Sequence, residues 1–130
     1  MAADNVVGDR IDPAVQAAHD ELWRRFVDPH GHILDYVGLD GEVLLPTPDD
    51  CALSRPNALS WGCPNEDGAM FGGLYLEAAV SRWRLTGLED DREKARCIAD
   101  GLMTLGSVGE TKGFIARGLA SDGASHYALG

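Results

Sequence analysis

The chain has 130 residues, close to the commonest size of one domain, with 45% hydrophobic and 25% charged residues, a balance that argues against disorder. Its formal net charge of −10 repels phosphate backbones and anionic lipid, which argues against nucleic-acid and membrane partners and suits a neutral or cationic small ligand better. No apolar run approaches the ~20 residues that span a bilayer, and the opening "MAADNVVGDRID" lacks the basic start and apolar stretch of a secretory signal. If that N-terminus is native, the protein is expected to be cytoplasmic.

Asp12-Pro13 reads as a helix start: a capping acid, then proline at the first helical position, where its missing N–H costs nothing. Val15, Ala18, Leu22 and Phe26 follow at intervals of three and four, with His19 and Trp23 beside them. This predicts a helix over Pro13 to Val27, stopped near Pro29 and Gly31. The stretch 28–65 has little periodicity and reads as a long loop, with one short β-hairpin around Asp40-Gly41. Loops of that length inside compact domains usually carry function.

Gly68 to Leu85 reads as a second helix of a different kind. Apolar residues from Ala69 to Val80 occupy nearly every face, so the helix is expected to be buried on all sides, and only Arg82 and Arg84 turn its far end polar. Gly72-Gly73 would let another helix approach closely. Thr86-Gly87-Leu88 supplies a glycine stop, and Glu89-Asp90-Asp91 places acids at the next helix start, where the dipole favours them. The third helix, Asp90 to Leu105, is amphipathic, with Ala95, Ile98, Leu102 and Leu105 on one face and Arg92, Glu93, Arg96 and Asp100 on the others. The two helices form an αα-hairpin with an inside and an outside. After Gly109, Phe114-Ile115-Ala116 and the Asp122-Gly123 turn predict a short β-hairpin within 113–130.

An all-round apolar helix needs neighbours on every side, and two other helices do not supply them. The apolar surface of Met70 to Val80 is therefore expected to be completed by something outside these residues, a partner chain or further hairpins, with self-association through that surface in the isolated chain. The run "WGCPNEDGAMFGGLYLEAAVSRWRLTG", followed by a charged helix and then "GFIARGLASDGASHY", resembles the N-terminal part of bacterial α/α-toroid proteins, the six-hairpin glycosidase-like superfamily of glycoside hydrolases and polysaccharide lyases. The resemblance covers about Pro13 to Gly130. It implies a mainly α fold, a partial α/α toroid of helical hairpins forming a single incomplete domain over 1–130. It also implies a carbohydrate ligand in the complete protein, bound by loops at one end of the barrel, and little activity in this chain alone.

Within that framework Glu66 and Asp67 stand at a helix start facing the long loop. They can cap the helix together with Asn65, or one can serve as a general acid, base or nucleophile. Adjacent acids rarely flank one sugar, so Asp122 is the candidate second carboxylate, although Asp-Gly is foremost a turn signal. His126 or Tyr127 would act as base or acid in an elimination, with Arg117 neutralising a uronate carboxylate. Trp61 can offer a flat ring to a sugar face or plug a local apolar gap.

Phosphate-loop, dinucleotide and hydrolase-triad signatures are absent, and no cofactor is expected. His30 and His32 lack a third ligand, so no metal site is expected either. Cys51, Cys63 and Cys97 have no C-x-x-C spacing and read as packed thiols, or as one Cys51–Cys63 disulfide and a free thiol. The reading from a different class is a small non-catalytic helical module that binds a protein partner through the Met70–Val80 face.

Overall fold

A computed structural model describes residues 11–55, 64–65 and 67–126. It is mainly helical, with four helices and no strand among the described residues. Helix α1 spans Pro13–Glu21 and runs on through one π-helical turn, Leu22–Phe26. Helix α2 is a short Pro48–Ala52 segment, α3 spans Gly68–Thr86 and α4 spans Glu89–Leu105.

The starts and stops have local causes. The Asp12 carboxylate accepts the Ala14 N–H at 2.8 Å, with Pro13 in the first turn. Gly87 ends α3 at φ 66°, the left-handed region that glycine enters without a Cβ penalty, and its N–H donates to the Trp83 carbonyl at 2.8 Å. Helix α2 lies inside the segment expected to be loop. A reciprocal capping box holds it: Thr47 Oγ1 accepts the Asp50 N–H at 3.2 Å, and Asp50 Oδ2 accepts the Thr47 N–H at 2.9 Å.

Helices α3 and α4 pack as the expected hairpin. Gly72 is buried against Leu102, where a Cβ would come within 3.0 Å of the leucine Cδ2, whereas Gly73 faces open space. The core forms around the C-terminal half of α4 and the segment after it: Ile98, Leu105, Leu119 and Ala116 are all at most 1% exposed. Burying each of the larger three contributes about 1.5–3 kcal/mol.

The described residues do not cover α3 on all sides, in keeping with an apolar surface expected to be completed from outside them. Gly68, Gly72 and Ala79 are its buried residues, while Met70, Phe71 and Leu74 are 55%, 42% and 64% exposed. With α4 on one side and α1 on another, its third side stays open.

The β-hairpin expected within 113–130 is corrected. The described part, 113–126, contains no strand, because its backbone groups bond to other parts of the chain. The Ala116 N–H donates to the Leu105 carbonyl at 2.9 Å, the Arg117 carbonyl accepts the Gly68 N–H at 3.0 Å, and the Ser121 N–H donates to the Pro46 carbonyl at 2.8 Å. The segment thus ties together the end of α4, the start of α3 and the long loop. Likewise Asp40-Gly41 forms a turn, closed by the Gly38 N–H on the Glu42 carbonyl at 2.8 Å, without flanking strands. Within the described residues the one β-type contact is an isolated bridge between Val27 and Ile33.

Candidate functional site

The segment tie described above sets two of the sequence candidates side by side. Arg117 Nη2 donates to Asp67 Oδ1 at 3.1 Å, with both side chains about half exposed (52% each). Asp67 precedes α3 but its side chain caps nothing there; the carboxylate goes to Arg117 instead. Asn65 is 1% exposed, its backbone carbonyl accepts the Gly68 N–H at 3.1 Å, and its side chain fills the space that a Cβ on Gly118 would need.

The remaining candidates have other occupations. Both oxygens of Asp122 hold its own turn: Oδ1 accepts the Ala124 and Ser125 N–H groups at 3.0 and 2.8 Å, and Oδ2 accepts the Ser125 hydroxyl at 2.6 Å. Those bonds hold the carboxyl below the ordinary carboxylate range, so the turn reading of Asp-Gly is the one seen. His126 packs its ring on Phe114, centroids 5.4 Å apart. Trp61, Glu66 and Tyr127 lie outside the described residues.

A larger polar constellation, whose members the sequence does not mark as a site, sits between α1 and the hairpin. Trp23 Nε1 donates to Tyr75 Oη at 2.8 Å, and Tyr75 Oη lies 3.2 Å from His19 Nδ1. Since the indole can only donate, the tyrosine proton points to Nδ1, which leaves the imidazole proton on Nε2. That nitrogen faces Asp91 Oδ1 at 3.8 Å, too far for a hydrogen bond. Asp91 is 3% exposed and accepts from Arg82 Nε at 2.7 Å and from the Thr86 hydroxyl at 2.6 Å, while Arg82 Nη2 reaches Gln16 Oε1 on α1 at 2.7 Å.

Burial raises the Asp91 carboxyl pKa, but the Thr86 and Arg82 hydrogen bonds outweigh it and leave the net value below the ordinary one. Burial, then the charges of Arg82 and Lys94, lower that of His19, so its imidazole is neutral at pH 7. Burial also raises the Tyr75 phenol, against the smaller effect of the Trp23 bond. A carboxylate, an imidazole and a hydroxyl in line look like a proton relay. The long first gap and the raised phenol make them a clamp between α1 and the hairpin instead.

Two clefts meet at this clamp. One, of about 500 Å³, lies between α1 and α3 and is walled by Val15, Ala18, Leu22, Ala78 and Leu85. The other, of about 570 Å³, lies between α1 and the start of α4 and is lined by Gln16, Asp20, Asp90, Asp91 and Lys94. Ile11, His19 and Arg82 border both.

On another flank of α4, at Cys97 and Gly101, His32 is buried against the helix. Its Nε2 lies 2.9 Å from the Gly101 carbonyl, and its Nδ1 lies 3.5 Å from Asp28 Oδ2. Both neighbours can only accept, so the ring is best satisfied with a proton on each nitrogen. Burial works against that charge, but bonding towards Asp28 and Gly101 and the Asp28 charge outweigh it, and the His32 pKa lies above its usual 6.5.

A raised histidine contributes stability fully below its unfolded value, about pH 6.5, and loses it as pH rises through the folded value. His19, lowered, acts the other way: its contribution is complete above about pH 6.5 and is lost as pH falls through its folded value. Denaturant midpoints measured from pH 4.5 to 8.5 should therefore peak near pH 6.5, and His32→Gln should flatten the alkaline limb. An alkaline limb unchanged by that substitution would contradict the assignment.

Among the described residues Cys51 and Cys97 are free thiols; Cys63, and with it the Cys51–Cys63 alternative, lies outside the described residues. No group of three or more His, Cys, Asp or Glu side chains able to hold a metal ion occurs among the described residues, and none of the described helices is long and apolar enough to cross a membrane. Comparison of the chain with protein-family models, curated proteins and solved structures finds no match in any of the three.

Proposed function

We propose that this chain is a helical-hairpin unit of an α/α-toroid-type protein, with α3 as the inner helix and α4 as the outer one, and that its open α3 face receives a further helical hairpin. The observation that supports this reading is the contrast between the two helices. The open side of α3 carries Met70, Phe71 and Leu74, 55%, 42% and 64% exposed, whereas exposed Arg92, Glu93, Arg96 and Asp100 cover the outward side of α4. An outer helix needs a wetted face; an inner one does not. An apolar face left open marks a surface made for contact.

In the complete assembly the unit would act on a poly- or oligosaccharide, by glycoside hydrolysis or uronate elimination, at the end of α3 where Asn65, Asp67 and Arg117 converge. The Asp67–Arg117 pair favours the uronate version, since a sugar carboxylate could replace Asp67 on the guanidinium. The non-catalytic interaction module shares the same α3 face and dispenses with the sugar.

The isolated chain should bind a hydrophobic dye and sediment with concentration-dependent mass. Leu74→Glu should reduce both by several fold while leaving the far-ultraviolet circular dichroism unchanged. A concentration-independent monomer that binds no dye would sink the packing reading, and polysaccharide turnover by the isolated chain would show that no further hairpins are needed.

A further inference from the structure

The two clefts at the α1 clamp differ in character yet share a border, and their charge balance is uneven. Four carboxylates line them, Asp12, Asp20, Asp90 and Asp91, against the two cations Arg82 and Lys94. Each cation is already engaged: Arg82 binds Asp91 at 2.7 Å and Lys94 binds Asp90 at 2.7 Å. Among the described residues Asp12 and Asp20 have no salt-bridge partner; they accept only from the Ala14 N–H and the Gln16 amide, at 2.8 Å each. His19 borders both clefts with its side chain 8% exposed and adds no positive charge while neutral. The local field is therefore negative beside an apolar trough, inside a chain whose net charge is −10.

We propose that the joined clefts bind an amphiphilic organic cation, its apolar body lying between α1 and α3 and its ammonium or guanidinium group beside Asp20. The apolar cleft, about 500 Å³, has the size of an ordinary small-ligand site. Val15, Ala18, Leu22, Ala78 and Leu85 make its walls mainly apolar, with Asp12, His19 and Arg82 also lining it, and so select an apolar body. Asp20, exposed and without a cation, supplies the attraction that an anionic or neutral amphiphile of the same shape would not feel. A carboxylate ligand would instead meet the unbalanced acids, and Arg82 could receive it only by giving up Asp91. The trough borders the C-terminal half of α3, whereas Met70, Phe71 and Leu74 lie on its N-terminal half, so Ala78→Trp and Leu74→Glu test the two readings apart.

Octylammonium, octanol and octanoate, titrated into the full chain by calorimetry or by amide chemical shifts at concentrations below micelle formation, separate the two contributions. At low salt the ammonium should bind about tenfold more tightly than the alcohol, and the carboxylate more weakly than either, with the ammonium's advantage shrinking as salt screens it. Asp20→Asn, on the surface, should reduce the ammonium to the affinity of the alcohol and leave the alcohol unchanged. Ala78→Trp should fill the trough and weaken all three. Equal affinity of the ammonium and the carboxylate, ammonium binding insensitive to both substitutions, or no binding of any of the three would each overturn the assignment.

Discussion

Asp91→Ala should destabilise the fold by about 3–5 kcal/mol, the cost of removing one partner of a buried ion pair and stranding the other. Asp91 is 3% exposed and Arg82 15%, so water cannot replace the lost carboxylate. Arg82 would keep its bond to Gln16, but its Nε and the Thr86 hydroxyl would lose their acceptor. The turn between α3 and α4 would feel the change too, because Thr86 Oγ1 also accepts the Leu88 N–H, at 3.2 Å. Urea denaturation measures the effect, and the double variant Asp91→Leu/Arg82→Met distinguishes its causes. If a stranded charge dominates, the double variant should recover most of the loss; if it is no more stable than Asp91→Ala, stranding is the wrong explanation.

Gly101→Ala should be the second large effect. Alanine ordinarily improves a helix interior by about 0.5–1 kcal/mol over glycine. Here the new Cβ would lie 2.5 Å from the Gly31 carbonyl oxygen and 2.8 Å from that of His30, and backbone cannot turn aside as a side chain can. Forced overpacking costs about 1–3 kcal/mol. Moving the loop away would also break the bond between His32 and the Gly101 carbonyl, so the upper end of that range is expected. Gly73→Ala, in the interior of α3 with nothing within 4 Å, is the control and should be neutral or stabilising. Similar denaturation midpoints for the two variants would refute the contact.

Both substitutions fall on residues whose importance the sequence concealed to different degrees. The three long helices were legible, because Asp12-Pro13, Gly87 and the acids at 89–91 are local signals acting through local bonds. Helix α2 was legible in principle, since Thr47-Pro48-Asp49-Asp50 carries a capping box, but five residues are too few to show a period. The π-helical turn at Leu22–Phe26 has no sequence signature.

By its place after the glycine stop, Asp91 reads as a dipole acid. Yet it stands on the row Asp91, Ala95, Ile98, Leu102, Leu105, the apolar stripe of α4, and a charge on a buried stripe is the signal that could have marked it. Nothing of that sort flags its partners: the joining of His19, Gln16 and Trp23 to Tyr75 and Arg82 spans more than fifty residues and depends on how α1 lies across the hairpin. For the same reason Arg117 could be matched to Asp67 only once Leu105 and Gly68 were seen to hold the intervening segment.

Helix α1 and its π-helical turn contribute no fully buried residue, whereas α4 contributes five. What fastens α1 to the hairpin is thus chiefly the directional bonding of Trp23, His19 and Gln16 rather than apolar area. Such a fastening can open and reclose as one cooperative unit, at a cost well below that of melting the whole molecule. A lifting of α1 with α3 and α4 intact is then an expected local opening of this fold, and the trough beside it would widen with it.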